Sequence, residues 1–139
     1  MRIEADRART LLGSSRVARL ATASAVGEPH LVPVTFALDG DMLYFAIDHK
    51  PKSTTALRRL QNIRENSRVS VLVDHYADDW STLWWVRADG QAEIWEDGPQ
   101  RARPVELLVA KYPQYREHPP RGAVVAINID RLTGWSYAG

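Results

Sequence analysis

The sequence predicts a mainly β protein of α+β class: an antiparallel β-barrel, closed or partly closed, with six to seven strands and three to four short helices. Three observations lead there. Short apolar runs recur between turn signals over most of the chain. The turns joining the first runs are too short to hold crossover helices, so those strands must pair antiparallel. Helical and strand-like segments do not alternate regularly, which argues against an open doubly wound sheet. The chain has 139 residues and no internal repeat, low-complexity segment or convincing linker. Residues 1–139 are therefore expected to form a single domain, for which roughly 100–200 residues is usual.

The elements follow in order. "IEADRARTLLG" reads as a short helix with Ala8, Leu11 and Leu12 on one side and Gly13 placed to end it. "RVARLAT" is the first strand, "ASAVGEP" a turn and "HLVPVTFAL" the second strand. Asp39-Gly40 is a hairpin signal leading into "MLYFAI", and the three strands form an expected meander. A helix over about residues 53–66 carries its apolar stripe at Ala56, Leu57, Leu60 and Ile63, with Arg58, Arg59 and Arg64 mostly elsewhere. "RVSVLVDHY" is a fourth strand and "TLWWVRADGQAEIW" a long fifth one, bent near Gly90. "EDGPQRARPVELLVAKY" is a helix capped by Asp97, entered at Pro99, split or kinked at Pro104, and burying Val105, Leu108, Val109 and Tyr112. "YPQYREHPPRG" reads as a loop, "AVVAINID" as a sixth strand and "GWSYA" as a short final one.

Eighteen basic and seventeen acidic side chains leave a formal charge of +1. That balance argues against a general nucleic-acid or membrane coat and directs attention to local clusters. Cysteine is absent, which removes disulfides, thiolate chemistry and cysteine-based zinc sites. No apolar run approaches the roughly 20 residues that cross a bilayer. The opening "MRIEADRART" lacks a hydrophobic signal region, so a cytoplasmic location is expected. None of the four histidines has the i, i+4 partner of a helical zinc site, so no metal is expected, nor does any nucleophile–base arrangement suggest acyl transfer. The five tryptophans all fall in the second half. Trp84 and Trp85 are adjacent on a strand and must face opposite sides; one fills the barrel while the other needs a cover. Trp80, beside Asp78 and Asp79, is a candidate substrate-side lid.

The strongest chemical signal is "KPKSTT". Lys50 and Lys52 point the same way on extended backbone, and Pro51 favours that conformation in Lys50. Ser53, Thr54 and Thr55 can cap the next helix, whose first amides have no internal partners. Two ammonium groups, several hydroxyls and a helix start make an anion site suited to phosphate, and Arg58 lies about one turn further on. An ordinary solvated cap would use the same residues, and this is no Walker or dinucleotide glycine motif.

The order "LAT…G.PH.VPV.F", "YFAID.K.K", "L.NI..N.RVS.LVD" and the late Trp135, spread over Arg16 to Trp135, resembles the pyridoxamine-phosphate-oxidase-like split β-barrel family. Within it the chain looks like the branch that uses the deazaflavin coenzyme F420 in place of FMN. The resemblance implies a homodimer with two cofactor sites at the subunit interface. It places His30, Val32, Pro33, Val34 and Thr35 along the isoalloxazine-like ring. Lys50, Lys52, Ser53 and Thr54 match the phosphate-binding turn, and Trp135 an aromatic that lines the site, often from the other subunit. Relatives that oxidise pyridoxamine phosphate carry arginine and lysine at the ends of the second-strand motif and finish on a basic, histidine-containing segment. Here "HLVPVT" and "GWSYAG" stand instead, so vitamin B6 oxidation is not expected.

The implied activity is hydride transfer between reduced F420 and an unsaturated small molecule. The cofactor supplies the chemistry and the protein the orientation and dry surroundings, so no obligatory catalytic side chain is assigned. A proton can come from solvent or His30. An FMN-dependent oxidase or reductase of the same fold is the nearest rival, because the lysine turn serves FMN phosphate equally well. A non-catalytic cofactor carrier is the third reading. The basic face "LRRLQNIR" is read as a solvated helix face, not a nucleic-acid site.

Overall fold

In the computed structural model, residues 1–47 and 54–138 are described. Seven strands form one antiparallel sheet: β1 (Ala18–Ala23), β2 (Pro29–Val34), β3 (Ala37–Asp39), β4 (Met42–Ala46), β5 (Arg68–His75), β6 (Trp84–Trp95) and β7 (Val124–Ser136). Their spatial order is β2-β1-β5-β6-β7-β4-β3. Helices α1 (Ala5–Ser14), α2 (Thr54–Glu65), α3 (Ala102–Lys111) and α4 (Pro113–Glu117) pack around the sheet.

The two edge strands, β2 and β3, are consecutive in the chain and separated only by Thr35 and Phe36. Three Cα steps span at most about 10 Å, so the sheet cannot lie open and must curl until its edges meet. No ladder joins those edges among the described residues. The result is the split barrel that the sequence leads one to expect. Pro29 and Pro33 sit in β2 opposite Ala23 and Arg19, which an edge strand tolerates because one row of its amides is unpaired.

The run "HLVPVTFAL" is therefore two strands instead of one. Its first half pairs with β1 and its second half with β4, so the expected meander is interrupted. Tyr112 explains the break. Its hydroxyl lies 3.1 Å from both the amide nitrogen and the carbonyl oxygen of the buried Phe36, and 2.8 Å from the Arg16 carbonyl. One phenol thus ties α3, the approach to β1 and the β2–β3 joint together, in place of ladder bonds at Phe36.

Five further local features differ from expectation. The final run "GWSYA" is not separate, since β7 extends unbroken over 13 residues. Gly134 lets it pass under the N-terminal segment, because a Cβ there would lie 3.0 Å from that of Ile3. Gly13 does not end α1, and it faces Leu38 instead. Asp97 caps nothing; Gly98, at φ 102°, precedes a 3-10 turn over Pro99–Arg101 that leads into α3. Pro104 falls in the first turn of α3, where helix amides lack internal partners anyway, so it causes no split. The segment read as a loop contains α4, with Pro113 at its first position.

The barrel interior holds Leu20, Phe36, Leu43, Phe45, Val71 and Ile127, each essentially inaccessible. Ala8 and Leu12 of α1 and Leu60 and Ile63 of α2 complete this core, whereas Leu57 stays exposed. A second apolar layer lies under α3, where Val105 and Leu107 pack against Tyr44, Val124, Ala126 and Trp95. Trp84 packs on the barrel core, while Trp85 faces outward beside Leu31 and Tyr76.

Where the sequence predicts a bend, the β6–β7 register shifts between Asp89 and Gly90: Asp89 faces Arg131 and Gly90 faces Ile129, so Asp130 of β7 is the extra residue. A Cβ on Gly90 would come within 2.2 Å of the Asn128 carbonyl oxygen. Gly90→Ala should therefore cost about 1–3 kcal/mol, the usual range for overpacking, read as a lower urea midpoint. At the end of α3 the Lys111 ammonium lies 3.9 Å from the Phe36 ring centroid, buried and without a hydrogen-bond partner. Burial, with a smaller contribution from Arg16, lowers its pKa from 10.5 to about 8. Between about pH 8 and pH 10 the unfolded chain then holds more protons than the folded one, so stability rises with pH. Tyr112, whose pKa burial raises, stays neutral in that window. Lys111→Met should flatten the rise and modestly stabilise the protein at pH 7, the lost cation–π contact with Phe36 limiting the gain. Urea midpoints measured across that range check it.

Candidate functional site

At the seam of the barrel lies a groove of about 540 Å³. Pro33, Val34 and Thr35 form one wall from the end of β2, and Phe45, Ala46 and Ile47 another from the end of β4. Arg59 reaches in from α2, and Gln114, Tyr115 and His118 come from α4 and its C-terminal end. The walls are largely apolar with a few polar groups converging from different elements, the usual make-up of a small-molecule site.

Arg59 is the distinctive group. Its guanidinium lies 5.7 Å from the Phe45 ring centroid, and its Nε is buried without a hydrogen-bond partner. Burial lowers its pKa from the usual value. Among the described residues it forms no ion pair. A buried guanidinium nitrogen without an acceptor is costly, and an anion in the groove would supply one. α2 is held in place by Asn62, whose side-chain amide donates to Thr22 Oγ1 at 3.0 Å, both groups being buried. That contact, with Leu60 and Ile63 in the core, sets where Arg59 points.

Of the residues singled out from sequence, Pro33, Val34 and Thr35 come together in this groove. Val32 packs on the barrel core. His30 pairs with Thr22 in register, and its Nδ1 is buried without a partner. Lys50, Lys52 and Ser53 lie outside the described residues, and Thr54 is the first residue of α2. Arg58 does not line the groove; it is exposed and pairs with Glu28 at 3.7 Å. Trp135 stands opposite Trp85 in the β6–β7 ladder, edge-on to Tyr137, away from the groove within one chain. Trp80 sits exposed on a 3-10 turn that Asp79 caps through the Ser81 amide.

Sequence reasoning missed Arg59, Phe45, Gln114, Tyr115 and His118. A signal existed for Arg59: it stands three residues after Ala56 and four before Ile63, so an arginine interrupts the apolar stripe of α2. For Gln114 and Tyr115 the signal was Pro113, well placed to start a helix. No cluster of three or more metal-ligating side chains occurs among the described residues, and no helix there is long and apolar enough to cross a membrane.

Comparison with known proteins agrees with this architecture. The family described as pyridoxamine 5'-phosphate oxidase matches residues 5–136. A 5a,11a-dehydrotetracycline/5a,11a-dehydrooxytetracycline reductase from Streptomyces rimosus is 31% identical over 128 residues, covering 90% of this chain and 84% of that protein. A conserved hypothetical protein from Mycobacterium tuberculosis superposes with a TM-score of 0.76 at 25% identity, over 96% of this chain and 85% of that one. An FAD-binding protein from Mesorhizobium loti gives 0.74 at 24% identity, over 96% and 95% of the two chains. At that identity the last likeness speaks to the fold alone.

Proposed function

The chain belongs to the pyridoxamine 5'-phosphate oxidase family, and from that premise we propose an oxidoreductase in which reduced coenzyme F420 gives a hydride to an unsaturated small molecule. The observation that carries this reading is the buried Arg59 Nε without an acceptor, which α2 brings into the seam groove. The reductase relative supports the oxidoreductase class. When bound, the deazaflavin supplies the hydride chemistry. The protein's part is to bind and orient. Pro33, Val34 and Thr35 offer a flat wall, Arg59 with Lys50, Lys52, Ser53 and Thr54 grips the anionic side, and the apolar walls exclude water.

We extend the reading to assembly: two copies meet through the outer face of β2, β1, β5 and β6. Leu31 and Tyr76, exposed at 67% and 63%, lie with Leu72 and Trp85 along one groove of that face. Such a contiguous apolar patch is typical of a contact surface. Trp135, beside Trp85 on β7, would then reach the partner's site and not its own.

Equilibrium titration of the purified protein with F420 and with FMN tests the cofactor, the expectation being tight F420 binding and weak FMN binding. Release of FMN from yellow protein on denaturation would favour the flavin version, and binding without turnover over a broad acceptor panel a carrier. Arg59→Gln should weaken F420 binding by about 1.5–3 kcal/mol, the scale of hydrogen bonds to charged groups, while Arg58→Gln should leave it nearly unchanged. Leu31→Asp should shift the sedimentation equilibrium from dimer towards monomer without lowering the melting temperature of the monomeric fold.

A further inference from the structure

The seam groove does not end at α4. Thr35, Gln114 and Tyr115 also line a second groove, of about 620 Å³, whose other walls are Arg16, Val17, Tyr112 and Pro113. The two spaces adjoin across the Thr35–Tyr115 hydroxyl pair, 3.0 Å apart.

The chemistry of this second groove is cationic and aromatic. The Arg16 guanidinium lies 5.0 Å from the Tyr112 ring centroid and donates one bond, at 2.8 Å, to the Lys111 carbonyl. Lys111 brings its own ammonium 5.3 Å from the same ring. The two cations thus crowd one phenol, and neither forms an ion pair among the described residues. The Tyr112 hydroxyl is spent on backbone groups and cannot neutralise them. Tyr112 is buried and meets Tyr115 edge to face at 86°, so the partly buried Tyr115 supplies the ring surface at the groove. Val17, 45% exposed, adds an apolar side.

We propose that this groove is a substrate subsite for the carboxylate- or enolate-bearing end of a conjugated ring system, continuous with the space where the reacting bond lies. An anion there pairs with the exposed Arg16 guanidinium, which forms no ion pair among the described residues; the Lys111 ammonium is buried over Phe36, outside the groove lining. A planar ring suits the partly buried Tyr115 ring, and a guanidinium can take a carboxylate through two parallel bonds. The proposal rests on the reading of the seam groove as the cofactor site, because the substrate must extend from there. The same anionic chemistry is available from a cofactor tail, and the experiment separates the two sources.

The test uses cofactor-free protein and measures the binding of 2-naphthoate and its neutral counterpart 2-naphthamide by calorimetry. Wild type is expected to prefer the carboxylate. Arg16→Gln should raise the naphthoate Kd at least tenfold and leave naphthamide unchanged, with Arg16→Lys recovering only part of the loss because an ammonium cannot make the two parallel bonds. Independently, Val17→Glu should raise the naphthoate Kd at least tenfold and the naphthamide Kd by much less. Val17 is partly exposed, so its variant stays informative if the loss of the Arg16 bond to Lys111 disturbs folding. Equal binding of the two probes to wild type, or undiminished naphthoate binding in a folded variant, would overturn the subsite. A tenfold loss of F420 affinity in Arg16→Gln would assign the groove to the cofactor and also overturn it. Failure of the cofactor reading shows separately, as F420 binding that Arg59→Gln leaves intact.

Discussion

Everything in this molecule follows from one constraint of connectivity: the two edges of a seven-stranded sheet are joined by two residues, Thr35 and Phe36. A sheet tethered in that way must close on itself at the tether. An unpaired edge is normally an exposed row of amides and carbonyls, and closure of this kind limits it. At the tether the backbone of Phe36 gives up ladder bonds and takes the Tyr112 hydroxyl instead, so a side chain on α3 replaces a missing strand neighbour. The fully buried Phe36 ring then anchors the joint in the barrel interior.

The same joint places the chemistry. The residues on either side of it, Pro33 to Thr35 from β2 and Phe45 to Ile47 from the neighbouring end of β4, wall the seam groove. Helices lie over the ends of the seam and bring in the polar groups that strands alone do not provide. α2 contributes Arg59, and α4 contributes Gln114 and Tyr115. Arg16, Arg59 and Lys111 gather around this joint, and none of them forms an ion pair among the described residues, although the chain as a whole carries a formal charge of only +1. Arg59 and Lys111 are each partly desolvated over an aromatic ring, which recovers some of the interaction lost with water. Positive charge of this kind, held without carboxylate partners, costs stability, and an anionic ligand offsets that cost.

Much of the architecture was legible in the residues. The Asp39-Gly40 hairpin, the helix α2 with Leu60 and Ile63 inward, an irregularity at Gly90 and the opposite facing of Trp84 and Trp85 are local properties of turn chemistry and period, and the structure has them, although Leu57 of the expected stripe is exposed. The order of short motifs from Arg16 to Trp135 led to the family. Reading failed where a long-range contact overrides local preference. Phe36 looks like one more strand residue until Tyr112, 76 positions away, takes its backbone bonds. Gly134 looks like a strand end until Ile3 is seen packed against it. Arg58 and Arg59 differ by one position, and their roles part only because helix periodicity turns one to Glu28 and the other into the seam.

The sequence by itself determined the class of fold, its antiparallel pairing, the lack of cysteine chemistry and the presence of a basic, hydroxyl-rich stretch ahead of a helix. These follow from short-range sterics, turn preferences and composition, which each segment carries with it. Only the tertiary structure decided which cation enters the groove, that α4 exists to line it, and that a second groove continues from the first. Those depend on how distant segments are brought together when the sheet closes. No local pattern encodes that meeting, because the energy that fixes it comes from burial and hydrogen bonds between residues far apart in the chain.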